Sequence, residues 1–243
     1  MSYCFISDLH LTEERPEITT AFFSFLENIA VKADHLYILG DLFEIWIGDD
    51  LENELSKSVK YHLNTLSKNS CKVYFMHGNR DFLIGEKFSK DCDIQLINDP
   101  INININNSNS NILLMHGDSL CTEDIKYQKF RTTTRSNSWK EGFLKKTIEE
   151  RIVIAEGLRS KSKTEIREKN EAIMDVSEEE VIKVMSQNKT SFLIHGHTHR
   201  PKIHDVKLAT GPAHRVVLGD WDSYGWYIWM NKSSWELKRF LIA

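Results

Sequence analysis

Short apolar runs punctuate the chain, each followed by polar or glycine-bearing residues. Six of them, at residues 3–7, 36–39, 73–76, 112–115, 192–194 and 216–218, have the length and composition of buried strands. Between several of these the apolar spacing turns helical. Ile18, Phe22, Phe25, Leu26 and Ile29 predict a helix over 17–30, with Pro16 suited to its first turn. Leu51, Leu55, Val59, Leu63 and Leu66 predict another over 51–66. Ser177 to Glu180 reads as a capping box ahead of Val181, Ile182 and Met185. Residues 101–111 alternate apolar and polar and then dissolve into Asn and Ser, predicting a strand and a turn that leads into 112–115. Strand alternating with helix predicts an α/β architecture.

From about 122 to 176 this rhythm stops. Trp139, Phe143, Ile148, Ile152 and Ala155 recur at helical spacing, so a helical insertion with one apolar face is expected there. The insertion changes the picture of charge. Residues 126–169 hold 13 Lys/Arg against 6 Glu and no Asp, a net +7 in a chain whose total is −4. Lys140, Lys145, Lys146, Arg151 and Arg159 belong to this block. It suits an anionic ligand or an anionic membrane surface, and equally a solvated helical face.

Composition excludes several classes. With 41% apolar and 27% charged residues the 243-residue chain is neither disordered nor fibrous, and it can bury a core without staples. No apolar run approaches the roughly 18 residues that span a bilayer. The first residues run straight into a strand pattern, so no signal peptide is expected. Cys4, Cys71, Cys92 and Cys121 are scattered, which argues against disulfides or a thiolate zinc site and fits a reducing compartment.

Candidate chemistry lies where the apolar runs end. The first ends in Asp8-Leu9-His10, the second in Gly40-Asp41, the third in His77-Gly78-Asn79-Arg80-Asp81. The fourth ends in His116-Gly117-Asp118 and the fifth in His195-Gly196-His197-Thr198-His199. Ligands gather at the carboxyl ends of strands in open α/β sheets, so these residues could converge. Buried together, two aspartates, an asparagine and four histidines need partners to offset desolvation, and two divalent cations supply them. Cations about 3.5–4 Å apart share a carboxylate, and Asp41 is placed to be that bridge. Carboxylate, amide and imidazole suit manganese, magnesium, iron or zinc.

The order D-x-H, G-D, G-N, H, G-H-x-H resembles the calcineurin-like metallophosphoesterase family. The resemblance implies a four-layer α/β/β/α sandwich, one domain over 1–243, with the helical insertion acting as a lid at about 122–176. It implies that Asp8, His10, Asp41 and His199 hold one metal, and Asp41, Asn79, His116 and His197 the other. His195 and His77 are left as core or supporting residues.

The longer strings SDLHL, YILGDLFEIWIGDD, HGNRDF, LMHGDSLCTED, AIMDV and LIHGHTHRP resemble the branch of that family that acts on a lipid-linked UDP-sugar in lipid A biosynthesis. This implies a Mn-dependent enzyme with two Mn2+ ions, cleaving the pyrophosphate of UDP-2,3-diacylglucosamine to UMP and 2,3-diacylglucosamine 1-phosphate. Metal-activated water would attack the α-phosphorus. Asp41, Asn79 and Arg80 would be catalytic, and Asn79, Arg80, Asp124, Ser162, Lys169 and His197 would contact substrate. Arg80 stands where most family members have histidine. An arginine clamps phosphate but cannot give up a proton, which suits a phosphate leaving group of second pKa about 6. Ile166 stands where the branch usually has asparagine, so the fit of the insertion to substrate differs there. Phe43, Ile45, Trp46, Trp139, Phe143 and Leu144 could face acyl chains or simply pack the core. The expected setting is the cytoplasmic face of the inner membrane, as a peripheral protein, with no nucleic acid and no obligate protein partner. The competing enzyme reading is another dinuclear metallophosphoesterase, acting on nucleoside diphosphates or phosphodiesters.

Overall fold

The structure, a computed structural model, describes residues 1–105, 111–168 and 175–242, and the side chains of these apart from 161–168. Strands β1 (Tyr3–Ile6), β2 (His35–Ile38), β3 (Lys72–Met76) and β4 (Gln95–Ile97) run parallel to one another. Strands β5 (Ile101–Asn104), β6 (Asn111–Leu114), β7 (Phe192–His195), β8 (Lys202–Leu208) and β9 (Gly211–Val217) build a second sheet in the order β5-β6-β7-β9-β8. Strands β10 (Tyr224–Met230) and β11 (Trp235–Leu241) return to the first sheet, giving β11-β10-β1-β2-β3-β4. In the second sheet the parallel pairs are central with an antiparallel strand at each edge, while in the first the parallel strands run from β1 to the β4 edge and β10 and β11 add antiparallel on the other side.

The apolar runs are continuous because the central strands are covered on both faces. Period-two alternation sorts their side chains. Tyr3, Phe5, Tyr37, Leu39 and Met76 of the first sheet meet Ile112, Leu114, Ile194 and Val216 of the second, forming the layer between the sheets. Cys4, Ile6, Leu36, Ile38, Val73 and Phe75 point the other way, against helices α1 (Pro16–Asn28), α2 (Glu54–Lys68) and α3 (Glu86–Cys92). Leu113, Met115 and Leu193 face α7 (Glu178–Gln187) through Val181 and Met185. The result is the four-layer α/β/β/α sandwich. Between β6 and α7 come α4 (Ile125–Thr134), α5 (Asn137–Leu144) and α6 (Ile148–Glu168). Trp139, Ile148, Ile154 and Ala155 of this segment pack against the core on the helical side of the first sheet.

Local chemistry sets the boundaries. α2 starts at Glu54 rather than 51 because Asn53 and Ser56 form a reciprocal capping box, at 2.8 and 3.1 Å. At α7, Ser177 caps by accepting the Glu180 N–H, but the Glu180 carboxylate pairs with Lys183 instead of closing the box. The alternating segment after 100 does become β5, antiparallel to β6; the turn expected at its end lies outside the described residues. Strands β8 and β11 carry no continuous apolar run, since edge positions expose alternate charged residues such as Asp205, Glu236 and Lys238.

Candidate metal centre

The carboxyl ends of β1, β2, β3, β6 and β7 converge at one end of the sandwich, so both sheets contribute. Asp8, His10, Asp41, His197 and His199 all have left-handed backbone, with φ between 50° and 68°. Non-glycine residues rarely adopt that conformation, and its clustering marks a place where surrounding structure imposes it for function. Close backbone approach requires glycine at two neighbouring positions. A Cβ on Gly196 would stand 2.1 Å from Asp8 Oδ2, and one on Gly78 2.0 Å from Asp41 Oδ1.

Asp8 is fully buried. Its Oδ2 accepts from Ser7 Oγ at 2.5 Å and from the His197 N–H at 2.9 Å, while Oδ1 has no hydrogen-bond donor and lies 3.4 Å from His199 Nε2. Asp41, also buried, accepts the Arg80 N–H at 2.8 Å through Oδ1. Its two oxygens point to opposite partners: Oδ1 is 3.8 Å from His116 Nε2 and Oδ2 is 3.8 Å from His10 Nε2. His10 and His199 bring their Nε2 atoms to 3.2 Å. Asn79 Oδ1 stands 2.9 Å from His116 Nε2 and 2.8 Å from His197 Nδ1. All seven ligands expected from the sequence therefore occupy one site.

Three of the imidazoles are oriented from behind. His116 Nδ1 donates to the Leu39 carbonyl at 2.9 Å, His10 Nδ1 lies 2.9 Å from Glu44 Oε2, and His199 Nδ1 lies 3.5 Å from Asp220 Oδ2. In each case Nε2 is the atom turned to the centre, and with His116 Nδ1 donating, its Nε2 carries the lone pair. The site is thus a concentration of acceptors. Among the described residues no Lys or Arg side chain forms an ion pair with Asp8 or Asp41, although both are buried. Such charges call for a compensating cation. Without one, the imidazoles supply it: burial would lower His199, yet Asp8 lifts it to about 9, and burial likewise fails to hold His116 down against Asp41, Asp118 and Asp8. Asp8 in turn is held well below the usual carboxylate range by His199, despite burial. Asp8, His10 and His199, and separately Asp8, Asp41 and His116, offer ligand atoms within 4.8 Å of one another. Oxygen and imidazole donors without thiolate fit a divalent metal of the manganese, iron or zinc type.

Two carboxylates that sequence reasoning passed over build the frame. Asp81 is fully buried and accepts the N–H groups of Gly78 (2.9 Å), Leu42 (2.7 Å), Asp41 (3.3 Å) and Phe43 (3.4 Å), so it ties the loop after β2 to the loop after β3. Asp118 Oδ2 accepts from Tyr127 Oη at 2.6 Å, Arg131 Nε at 2.8 Å and Arg135 Nη2 at 3.0 Å. Arg135 also donates to the Gly78 carbonyl at 3.0 Å, and the Tyr127 ring lies against His197 with centroids 5.9 Å apart. Only their place directly after Asn79-Arg80 and His116-Gly117 hinted at them. His195 and His77 are indeed supporting residues. Burial pushes His195 down to about 3 and His77 to about 4, and they donate to the carbonyls of Gly196 and Ile84.

Arg80 Nε is buried and has no hydrogen-bond partner among the described residues. Asp124 caps α4, accepting the Tyr127 N–H at 3.1 Å. Ser162 and Ile166 lie on α6 with side chains outside the described set, and Lys169 is outside the described residues. The basic block is partly spent inside the protein. Arg131 and Arg135 bond Asp118, Arg159 pairs with Glu44 at 2.8 Å, and buried Arg151 bonds Asp50 and the Ile47 carbonyl. Among the described side chains of the block, Lys126, Lys129, Lys145 and Lys146 are exposed. Beside the site, a cavity of about 310 Å³ runs between the segment after Asp41 and α6, with Leu11, Phe43, Ile45, Trp46, Ile152 and Ala155 among its walls. Trp139 and Phe143 stack on each other at 4.9 Å and join the core instead.

A sandwich whose strand ends gather carboxylate, amide and imidazole donors from both sheets is the architecture of a metal-dependent phosphoesterase. Residues 1–201 match the calcineurin-like phosphoesterase family, and the chain belongs to it. Over almost its whole length it is also similar to proteins named UDP-2,3-diacylglucosamine hydrolase. That of Tolumonas auensis is 46% identical over 230 residues, covering 94% of this chain and 92% of the relative. Those of Marinobacter nauticus and Pseudomonas putida are each 45% identical, covering 96% and 97% of this chain and 95% and 97% of the relatives.

Proposed function

We propose that the chain hydrolyses the pyrophosphate bond of UDP-2,3-diacylglucosamine, giving UMP and 2,3-diacylglucosamine 1-phosphate, within lipid A biosynthesis. The observation that carries this reading is the open cleft beside the acceptor cluster, which has an apolar side (Leu11, Phe43, Ile45, Trp46, Leu51 and Ile152) and a charged side (Glu13, Glu14, Glu44, Glu156 and Arg159). Glu44, which touches His10, is also part of the cavity wall. A simple phosphodiester would have no use for the apolar side of that cleft, whereas acyl chains would.

In this reading Asp8, His10, Asp41 and His199 hold one manganese ion, and Asp41, Asn79, His116 and His197 the other. The ions would lower the pKa of bound water and offset charge on the phosphoryl oxygens. Arg80 supplies a fixed positive charge whose Nε lacks a partner among the described residues, suited to diphosphate oxygens. It offers no proton, and a phosphate leaving group needs none. Asn79 and His197, adjacent at 2.8 Å, bound the phosphate side of the site. Asp124, Ser162 and Lys169 are proposed substrate contacts, with the segment at about 122–176 covering the lipid as a lid on a single domain over 1–243. No helix among the described residues is long and apolar enough to cross a membrane. The exposed lysines of α4 and the α5–α6 turn suit a peripheral position on the anionic cytoplasmic face of the inner membrane.

The test is a reaction of metal-stripped protein with manganese and UDP-2,3-diacylglucosamine in water enriched in heavy oxygen. Label in UMP is expected, marking attack at the α-phosphorus. Label in the sugar phosphate would overturn the site of attack. Equal turnover of a UDP-sugar without acyl chains, or of a simple phosphodiester, would move the chain to the broader nucleotide or phosphodiester reading.

A further inference from the structure

Glu44 sits where the metal centre, the cleft and the helical insertion meet. Its backbone N–H donates to the Leu11 carbonyl at 3.1 Å, which holds the segment after Asp41 against the segment after Asp8. Its side chain is only 14% exposed, and both oxygens are engaged. Oε2 lies 2.9 Å from His10 Nδ1, and Oε1 lies 2.8 Å from Arg159 Nη2 on α6. The contact is an ion-pair distance without the alignment of a hydrogen bond, and it places a negative charge behind the imidazole at Nδ1. The opposite ring atom, Nε2, is turned toward Asp41 Oδ2 and His199 Nε2, at 3.8 and 3.2 Å.

The other imidazoles are supported differently. His116 relies on the Leu39 carbonyl within the core, and His199 relies on Asp220, which is 40% exposed. Neither support touches the insertion. Glu44 alone among these three supports is shared with α6, and Arg159 is the residue that shares it.

We propose that Glu44 is a positioning residue for the metal centre and that Arg159 makes its position depend on the seating of α6. Helix α6 also walls the cleft through Ile152, Ala155, Glu156 and Arg159, so the element that borders the cleft is linked to a candidate metal ligand by one carboxylate. When α6 is seated, Arg159 holds Glu44 and Glu44 holds His10. When α6 lifts, Glu44 loses its charge partner and His10 gains rotational freedom. The inference rests on the assignment of His10 as a ligand made above.

The experiment is a manganese titration of metal-stripped full-length protein, following free Mn2+ by electron paramagnetic resonance, with no substrate present. The parent is expected to bind two equivalents. Glu44→Ala is expected to weaken one of the two by about 10- to 100-fold, the usual effect of removing the group behind a ligating histidine. Glu44→Gln keeps an acceptor for His10 and is expected to lie closer to the parent. Arg159→Ala is expected to weaken the same equivalent by less than Glu44→Ala, and to add nothing in the Glu44→Ala background. A merely structural Glu44 would change both equivalents together or neither. Parent affinity for both equivalents in Glu44→Ala overturns the proposal, as does parent affinity in both Glu44→Gln and Arg159→Ala if the alanine variant does not fold. His10→Ala is the companion measurement: if it too retains both equivalents, the ligand assignment fails rather than the role of Glu44 alone.

Discussion

Both oxygens of Asp41 face donors or ligand atoms from different strands, so no other residue can stand in for it. Asp41→Ala is expected to bring turnover to background in a protein that still folds, because Asp81 holds the loop through backbone N–H groups rather than through the Asp41 side chain. Steady-state kinetics and circular dichroism check this. Arg80→Ala is expected to keep the metal stoichiometry and raise KM by about 10- to 100-fold, the value of one charged hydrogen-bonding partner; unchanged KM would make Arg80 structural. Asp118 differs from both, since its role is to hold α4 on the site. Burial alone would raise its pKa, but Arg135, His116 and Arg131 hold it well below the ordinary carboxylate range. A depressed folded-state value contributes stability that is complete above about pH 4 and is lost as pH falls through the folded value. Asp118→Asn is therefore expected to cost about 3–5 kcal/mol at pH 7, as for other broken buried pairs. Urea unfolding should show the gap to the parent narrowing below pH 4.

The insertion is an element held by arginines and displayed by lysines. Its +7 was legible in the sequence, but the sum overstates the charge offered to a partner, because Arg131, Arg135, Arg151 and Arg159 turn inward. Arginine is the residue for such pairs, since its planar fork satisfies a carboxylate and a carbonyl together. Arg151 does this with Asp50 and the Ile47 carbonyl, joining α6 to the loop beyond Trp46. Arg151→Ala is expected to cost about 1.5–3 kcal/mol, the value of hydrogen bonds to a charged group, and to expose the segment after 144 to faster limited proteolysis. Proteolysis at the parent rate would show that α6 is held by apolar packing alone. The same scale explains most of the strands that were missed. Strands β8 and β11 are edges with one polar face and no run to read, and β4 is a three-residue edge, whereas interior β10 carries an apolar run at Trp226–Met230 that the sequence reading passed over.

At the scale of the molecule, the candidate centre joins two sheets whose other contact is the apolar layer between them. Asp8, His10, Asp41 and Asn79 follow strands of one sheet, and His116, His197 and His199 follow strands of the other. A ligand that binds only the folded state adds stability by mass action. Manganese at about 100 times its dissociation constant is expected to add about 2.7 kcal/mol for each of the two sites, and a chelator to remove it. The check is the unfolding midpoint with and without metal, and equal midpoints would mean that the sites are not filled by manganese. Substitution of Asp41 should abolish the difference, which separates binding at this centre from adventitious binding elsewhere.

Residue types and their spacing were enough to specify the α/β class, six of the seven parallel-paired strands, and the five strand ends that bear the candidate ligands. That follows from physics acting locally: burial on two faces demands apolar runs, and four of the five candidate turns set glycine beside a carboxylate, amide or imidazole. Sequence could not say which atom of each side chain faces the centre. It could not show that Asp81 gathers backbone N–H groups from two loops, that Asp124 caps α4, or that Glu44 lies between His10 and Arg159. Those relations join residues distant along the chain, and only tertiary packing brings a carboxylate to the one N–H or guanidinium that gives it a role.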